Sequence, residues 1–203
     1  HVRSRRQRQM CIRDSFVGRH AELSALHTIL TTGGEKTGGH GTGGYGMIAA
    51  AFSPGGLGKT ALARQYAHAY AEWFAAGGTW EVPCEGTTAI GAALLRLADS
   101  QNFRDLAVLD RDPATGAIRL LAEPLALSDA QRSDFRLAAE AVLAYLKHVT
   151  FARVTLVRKQ LASHPERHTP TDALAPIENP RALLVLDNVD HSGLLDAREI
   201  AQL

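Results

Sequence analysis

The stretch over residues 47–66, MIAAAFSPGGLGKTALARQY, restricts the fold more than any other. A short apolar run leads into a glycine-rich turn, then Lys59 and Thr60, then a helix-forming segment. This is the layout of a phosphate-binding loop: a buried strand delivers backbone N–H groups to the positive end of a helix, and both face an anion. The candidate loop comprises Pro54, Gly55, Gly56, Leu57, Gly58, Lys59, Thr60 and Ala61. Gly55, Gly56 and Gly58 let the backbone approach a phosphate without a Cβ clash. Lys59 would set its ammonium between the β- and γ-phosphates, and the Thr60 hydroxyl would ligate Mg²⁺. The strict pattern has glycine six residues before the lysine, and Ser53 stands there instead. A glycine turn capping a helix, with Lys59 exposed, is the competing reading; the flanking strand and helix favour phosphate.

The second sharp feature is RALLVLDNVD at residues 181–190. Its apolar run reads as a fully buried strand with Asp187 at the C-terminal end, where a carboxylate can hold magnesium through its water shell. The competing reading is an aspartate that caps the next segment. Asn188 cannot serve as a general base; Asp190 stands equally as base or as helix cap. The catalytic candidates are therefore Lys59, Asp187 and Asp190, and the metal candidates Thr60 and Asp187.

Along the chain, Leu23, Leu26 and Leu30 recur at helical spacing after Phe16, Val17, Gly18 and Arg19. Residues 31–46 hold eight of the chain's 18 glycines and read as a linker. A strand is expected over residues 47–52, a helix from the loop to about Phe74, a strand over residues 79–82 closed by Pro83, and a helix over residues 89–98. This βαβα order predicts a parallel sheet covered by helices. Residues 101–127 read as irregular with short helices. Ser128 and Gln131 form a capping box for a helix lined by Phe135, Ala139, Val142, Leu146 and Val149. The β-branched run beyond Lys147 argues against a continued helix. Residues 148–180 are expected to be an insertion, with a loop at residues 164–180 and a final helix at residues 194–203.

No apolar run approaches the ~20 residues needed to span a bilayer, so no membrane partner is expected. Cys11 and Cys84 lie far apart without metal spacing, and a reduced, cytoplasmic setting is the default. Residues 1–13 carry five arginines and no acid, leaving 17 basic against 21 acidic residues elsewhere. Such an arm suggests nucleic-acid contact. Residues 1–15 nevertheless read as a solvated or non-native tail, and no nucleic-acid partner is expected. The histidines lack ligand spacing, His164 and His168 reading as loop residues. Trp80 is expected in the core.

FVGRHAELSAL, SPGGLGKTALARQYA and LLVLDNVD together resemble the STAND class of P-loop NTPases, of the NB-ARC or AP-ATPase type. The resemblance covers residues 16–203 apart from residues 101–127 and 149–180. It implies an α/β P-loop three-layer sandwich with a parallel sheet, an N-terminal fragment truncated after the Asp187 strand. Val17, Gly18 and Arg19 would pack on adenine and ribose. The implied function is an ATP/ADP-binding signalling switch with slow Mg²⁺-dependent hydrolysis in the full-length protein. Protein partners or self-oligomerisation would act through later regions. The departures at Ser53 and Asn188 leave a non-hydrolysing, ADP-holding scaffold as the alternative, ahead of a DNA-associated ATPase.

Overall fold

The computed structural model describes residues 19–32, 46–49, 58–112, 114–163, 177 and 180–189. The chain is mixed α/β with a small parallel sheet. In chain order the elements are α1 (His20–Thr32), β1 (Gly46–Ala49), α2 (Lys59–Ala69), a 3-10 turn (Ala71–Phe74) and β2 (Thr79–Pro83). Then come α3 (Ile90–Asp99), α4 (Gln101–Arg104), β3 (Val108–Arg111), β4 (Ile118–Ala122), α5 (Asp129–Ser133), α6 (Phe135–Ser163) and β5 (Leu183–Asp187). Of the strand expected over residues 47–52, the described part is β1; the final helix and the loop histidines lie outside the described residues.

β5 is the middle strand, paired in parallel with β1 on one side and β2 on the other. Its four leucine and valine residues are all buried, as a strand covered on both faces requires. Successive side chains point to opposite faces, and the two core clusters follow that alternation. Leu183 and Val185 pack with Leu23, Ala63, Tyr66 and Phe74 of α1, α2 and the 3-10 turn. Leu184 and Leu186 join Val82, Leu94, Val142 and Leu146 of β2, α3 and α6 on the other face. By the same alternation Asp187 faces α2.

Three expectations are corrected. The helix expected to run to Phe74 ends at Ala69, and residues 71–74 tighten into a 3-10 turn. Residues 101–127 hold an expected short helix, α4, but also two unexpected strands: β3 and β4 form an antiparallel hairpin. Its turn is held by Asp112 Oδ1, which accepts from the amides of Ala114 and Thr115 at 2.8 and 3.1 Å, with Gly116 at φ +70°. Leu109, Ile118 and Leu120 point outward and are exposed, so the hairpin lacks the apolar-in, polar-out alternation that marks a half-buried strand.

The third correction concerns α6, which continues through the β-branched run to Ser163. Val149, Thr150, Ala152 and Val154 are buried there, so tertiary packing overrides local propensity. The threonine hydroxyls are satisfied within the helix, Thr150 donating to the Leu146 carbonyl at 2.6 Å and Thr155 to that of Phe151 at 2.9 Å. The Ser128–Gln131 capping box is present, but it starts only the short α5. Asp134 breaks the run and receives the amides of Arg136 and Leu137 at 2.9 and 3.3 Å, starting α6 anew. Trp80 is half-buried against the core, edge-on to Phe103 at 5.1 Å, its indole N–H donating to the Gly77 carbonyl at 2.9 Å.

α3 and α6 approach most closely at Gly91, where an added Cβ would lie 1.9 Å from the Phe135 carbonyl oxygen. Backbone cannot yield cheaply, so Gly91→Ala should lower stability by about 1–3 kcal/mol, the range for overpacking. An unchanged melting temperature would show that the helices do not meet this closely.

α1 is fastened to the sheet by an aromatic cluster. His27 stacks on Tyr70 with ring centroids 3.9 Å apart, and its Nδ1 lies 3.1 Å from the Tyr66 hydroxyl. Burial, and then the nearby Arg181 guanidinium, hold the His27 pKa below its ordinary value of 6.5. Burial pushes the Tyr66 phenol up to about 12, so it stays protonated beside the neutral imidazole. A base with a depressed folded pKa gives stability that is complete above its unfolded pKa and lost as pH falls through the folded one. The melting temperature should therefore drop from pH 7 to pH 5, with a smaller drop in His27→Gln; equal slopes would contradict the neutral, half-buried imidazole.

Candidate functional site

The C-terminal end of β5 and the N-terminal end of α2 meet at one point. α2 begins at Lys59 after Gly58, which sits in the left-handed region at φ 72° and ψ 25°, where a side chain would be strained. An added Cβ at Gly58 would meet nothing within 4 Å. The N-cap Gly58 makes no side-chain cap at this helix end, and a helix N-terminus is a setting that suits an anion. Lys59 and Thr60 are half-buried in the first turn, and Ala61 is exposed beside them.

Thr60 Oγ1 donates to Asp187 Oδ1 at 2.8 Å, joining residues 127 positions apart. The same oxygen accepts from the Asn188 amide at 3.1 Å. The Asp187 main-chain carbonyl accepts from the Cys84 amide at 2.8 Å, which continues the β2–β5 ladder past Pro83 and fixes the strand end. Asn188 is exposed and turns the chain away at φ 57°, a conformation asparagine tolerates better than most residues. The Asp187 side chain keeps 20 % of its surface exposed.

The other oxygen of Asp187 faces a residue the sequence did not single out. Arg64 Nη2 lies 3.5 Å from Asp187 Oδ2. Its guanidinium also donates to both oxygens of Glu81, from Nε at 2.8 Å and Nη2 at 3.2 Å. The hydrogen bond and charge of Glu81, with a smaller contribution from Asp187, raise the Arg64 pKa above its ordinary value. Arg64 follows Thr60 by four residues, the spacing that puts two side chains on one helix face. Glu81 pairs with Val185, two residues before Asp187 and on the same sheet face. The helical spacing was readable in the sequence; the strand register was not.

Two hard oxygen donors, the Asp187 carboxylate and the Thr60 hydroxyl, suit Mg²⁺. That ion takes one or two carboxylates and completes its shell with phosphate oxygens and water. Among the described residues no group of three or more His, Cys, Asp or Glu could hold a metal ion. Arg19 is half-buried at the start of α1, its carbonyl accepting from the Leu23 amide at 3.1 Å. Val17, Gly18, Pro54, Gly55, Gly56, Leu57 and Asp190 lie outside the described residues. The structure thus brings together Gly58, Lys59, Thr60 and Asp187 among the expected site residues. Among the described residues no helix is long and apolar enough to cross a membrane. No protein-family model, curated protein or solved structure matches the chain.

Proposed function

We propose that the chain binds the phosphates of ATP or ADP with Mg²⁺, and that the full-length protein is a nucleotide-controlled signalling switch of the STAND, NB-ARC type. On this reading the parallel sheet belongs to a P-loop three-layer sandwich. The contact between Thr60 and Asp187 at 2.8 Å carries the reading, because a hydroxyl at a helix start and a carboxylate at a strand end meet where a phosphate loop needs its cation held. Supporting it are the left-handed Gly58 at the helix start and Lys59 in the first turn.

Lys59 and the amides following Gly58 bind and orient the phosphates, while Thr60 and Asp187 hold the cation directly or through water. Mg²⁺, when bound, neutralises charge on the phosphate oxygens. Val17, Gly18 and Arg19 contact the adenosine, and Pro54, Gly55, Gly56 and Leu57 complete the loop. Asp190 orients the attacking water or caps the following segment. Protein partners or self-association read out the bound nucleotide.

One observation favours a second reading, a non-hydrolysing scaffold that holds ADP. Asn188, directly after the magnesium carboxylate, is exposed and offers no base.

Lys59→Ala should weaken nucleotide binding by roughly tenfold or more, about 1.4 kcal/mol. Calorimetric or fluorescence titration showing unchanged affinity would overturn the phosphate reading. Thr60→Ser should keep the Mg²⁺ dependence of binding and Thr60→Val should lose it. Magnesium-dependent phosphate release that disappears in Asp187→Ala would exclude the scaffold and establish the switch as an ATPase.

A further inference from the structure

Arg64 and Glu81 have no part in the phosphate-binding reading, yet they stand against its metal ligand. Arg64 touches Asp187 Oδ2 at 3.5 Å while Thr60 and the Asn188 amide hold Oδ1 at 2.8 and 3.1 Å. Both oxygens of the carboxylate are therefore engaged by hydrogen-bond donors or a positive charge. A divalent cation approaching Asp187 would meet the positive charge of Arg64 beside Oδ2. The Thr60 hydroxyl is no obstacle, because its oxygen keeps lone pairs for a cation while its proton stays directed at Asp187. The obstacle is the charge of Arg64.

Glu81 gives that charge a place to go. It already takes two of the guanidinium's N–H groups, one to each oxygen, a planar pairing that fixes the orientation of the fork. The Arg64–Glu81 pair is half-exposed, at 55 % and 51 % of the side chains, so it adds little to fold stability. Its effect falls instead on Asp187, which is better shielded from water at 20 %.

We propose that Arg64 is a positioning residue that guards the Asp187 carboxylate, and that Glu81 is the anchor that draws it aside, so the pair sets the affinity of the nucleotide site for its divalent cation. This rests on the phosphate-binding reading. Without Arg64, the cation meets an unguarded carboxylate. Without Glu81, the guanidinium settles fully on Asp187 and competes with the cation. Arg64 thus opposes cation uptake, and Glu81 assists it through Arg64.

The test is the Mg²⁺ concentration that gives half-maximal enhancement of binding of a fluorescent ATP analogue to the full chain, with binding in EDTA measured alongside. Arg64→Ala should lower that concentration roughly three- to tenfold, the scale of one partly screened charge beside a dication. Arg64→Lys, which keeps the charge, should stay near the wild type. Glu81→Gln should raise it about two- to fivefold, and this effect should vanish in the Arg64→Ala background, the coupling expected of residues acting in series. Thermal melts of each variant should differ little, in keeping with an exposed pair.

An Arg64→Ala variant whose Mg²⁺ requirement is unchanged or increased overturns the proposal while leaving the phosphate-binding reading intact. A Glu81→Gln effect of equal size in both backgrounds overturns it too, since Glu81 would then act by its own charge. Failure of the wild type to bind the analogue with or without Mg²⁺ removes the phosphate-binding reading and this proposal together.

Discussion

Everything in the described fold leans on β5 being buried on both faces. A strand in that position must be apolar along its length, and the LLVL run of residues 183–186 is. Its alternation then divides the interior: residues 183 and 185 close the core beneath α1 and α2, and residues 184 and 186 close the core beneath α3 and α6. The same count delivers residue 187 to the α2 side, at the strand's C-terminal end. Ending such a strand with aspartate puts the carboxylate at the mouth of the sheet, where it keeps part of its solvent contact and meets the first turn of α2. Position, orientation and partial burial of Asp187 all follow from packing that concerns only leucines and a valine.

A carboxylate so placed needs partners. Burying part of an ionised group without them is unfavourable, and Asp187 finds a hydroxyl, a backbone amide and a guanidinium. These have different consequences for a cation. The hydroxyl can donate to Asp187 and still offer its oxygen lone pairs, so Thr60 does not compete with a metal. A guanidinium has no acceptor to offer and remains charged at any working pH. On the proposed reading, Arg64 and a bound cation are rivals for one carboxylate. The geometry of Glu81, gripping the same guanidinium from the neighbouring strand, makes that rivalry adjustable.

Much of this was legible in the sequence because the decisive signals were local. The apolar run before Asp187, the glycines before Lys59 and the stripe of Leu23, Leu26 and Leu30 each fix an element without reference to the rest of the chain. The parallel sheet followed from the alternation of strand and helix. Hidden features depended on register or on packing at a distance. The β3–β4 hairpin was obscured because Leu109, Ile118 and Leu120 project outward. Extension of α6 through Val154 depends on the core it enters, against the leaning of its own β-branched residues. Glu81 could not be linked to Asp187 because nothing local says that residue 81 pairs with residue 185.

The same cluster that fastens α1 also ties that helix to the site. Tyr66 lies six residues beyond Thr60 on α2 and is fully buried, in contact with His27 of α1 and packed in one cluster with Leu183 and Val185 of β5. Arg181, two residues before β5, donates to the carbonyls of Leu30 and Thr31 at 3.2 Å, closing the C-terminal end of α1. α1 is thus held at one end by the residue leading into the Asp187 strand and along its length by the helix that carries Thr60. A well-packed cluster of this kind transmits displacement instead of absorbing it. α1, which starts just after Arg19, is therefore seated on both elements that meet at Thr60 and Asp187. On the proposed reading, Arg19 belongs to the adenosine side of the site and Thr60 to its phosphate side, and these contacts join the elements that carry both.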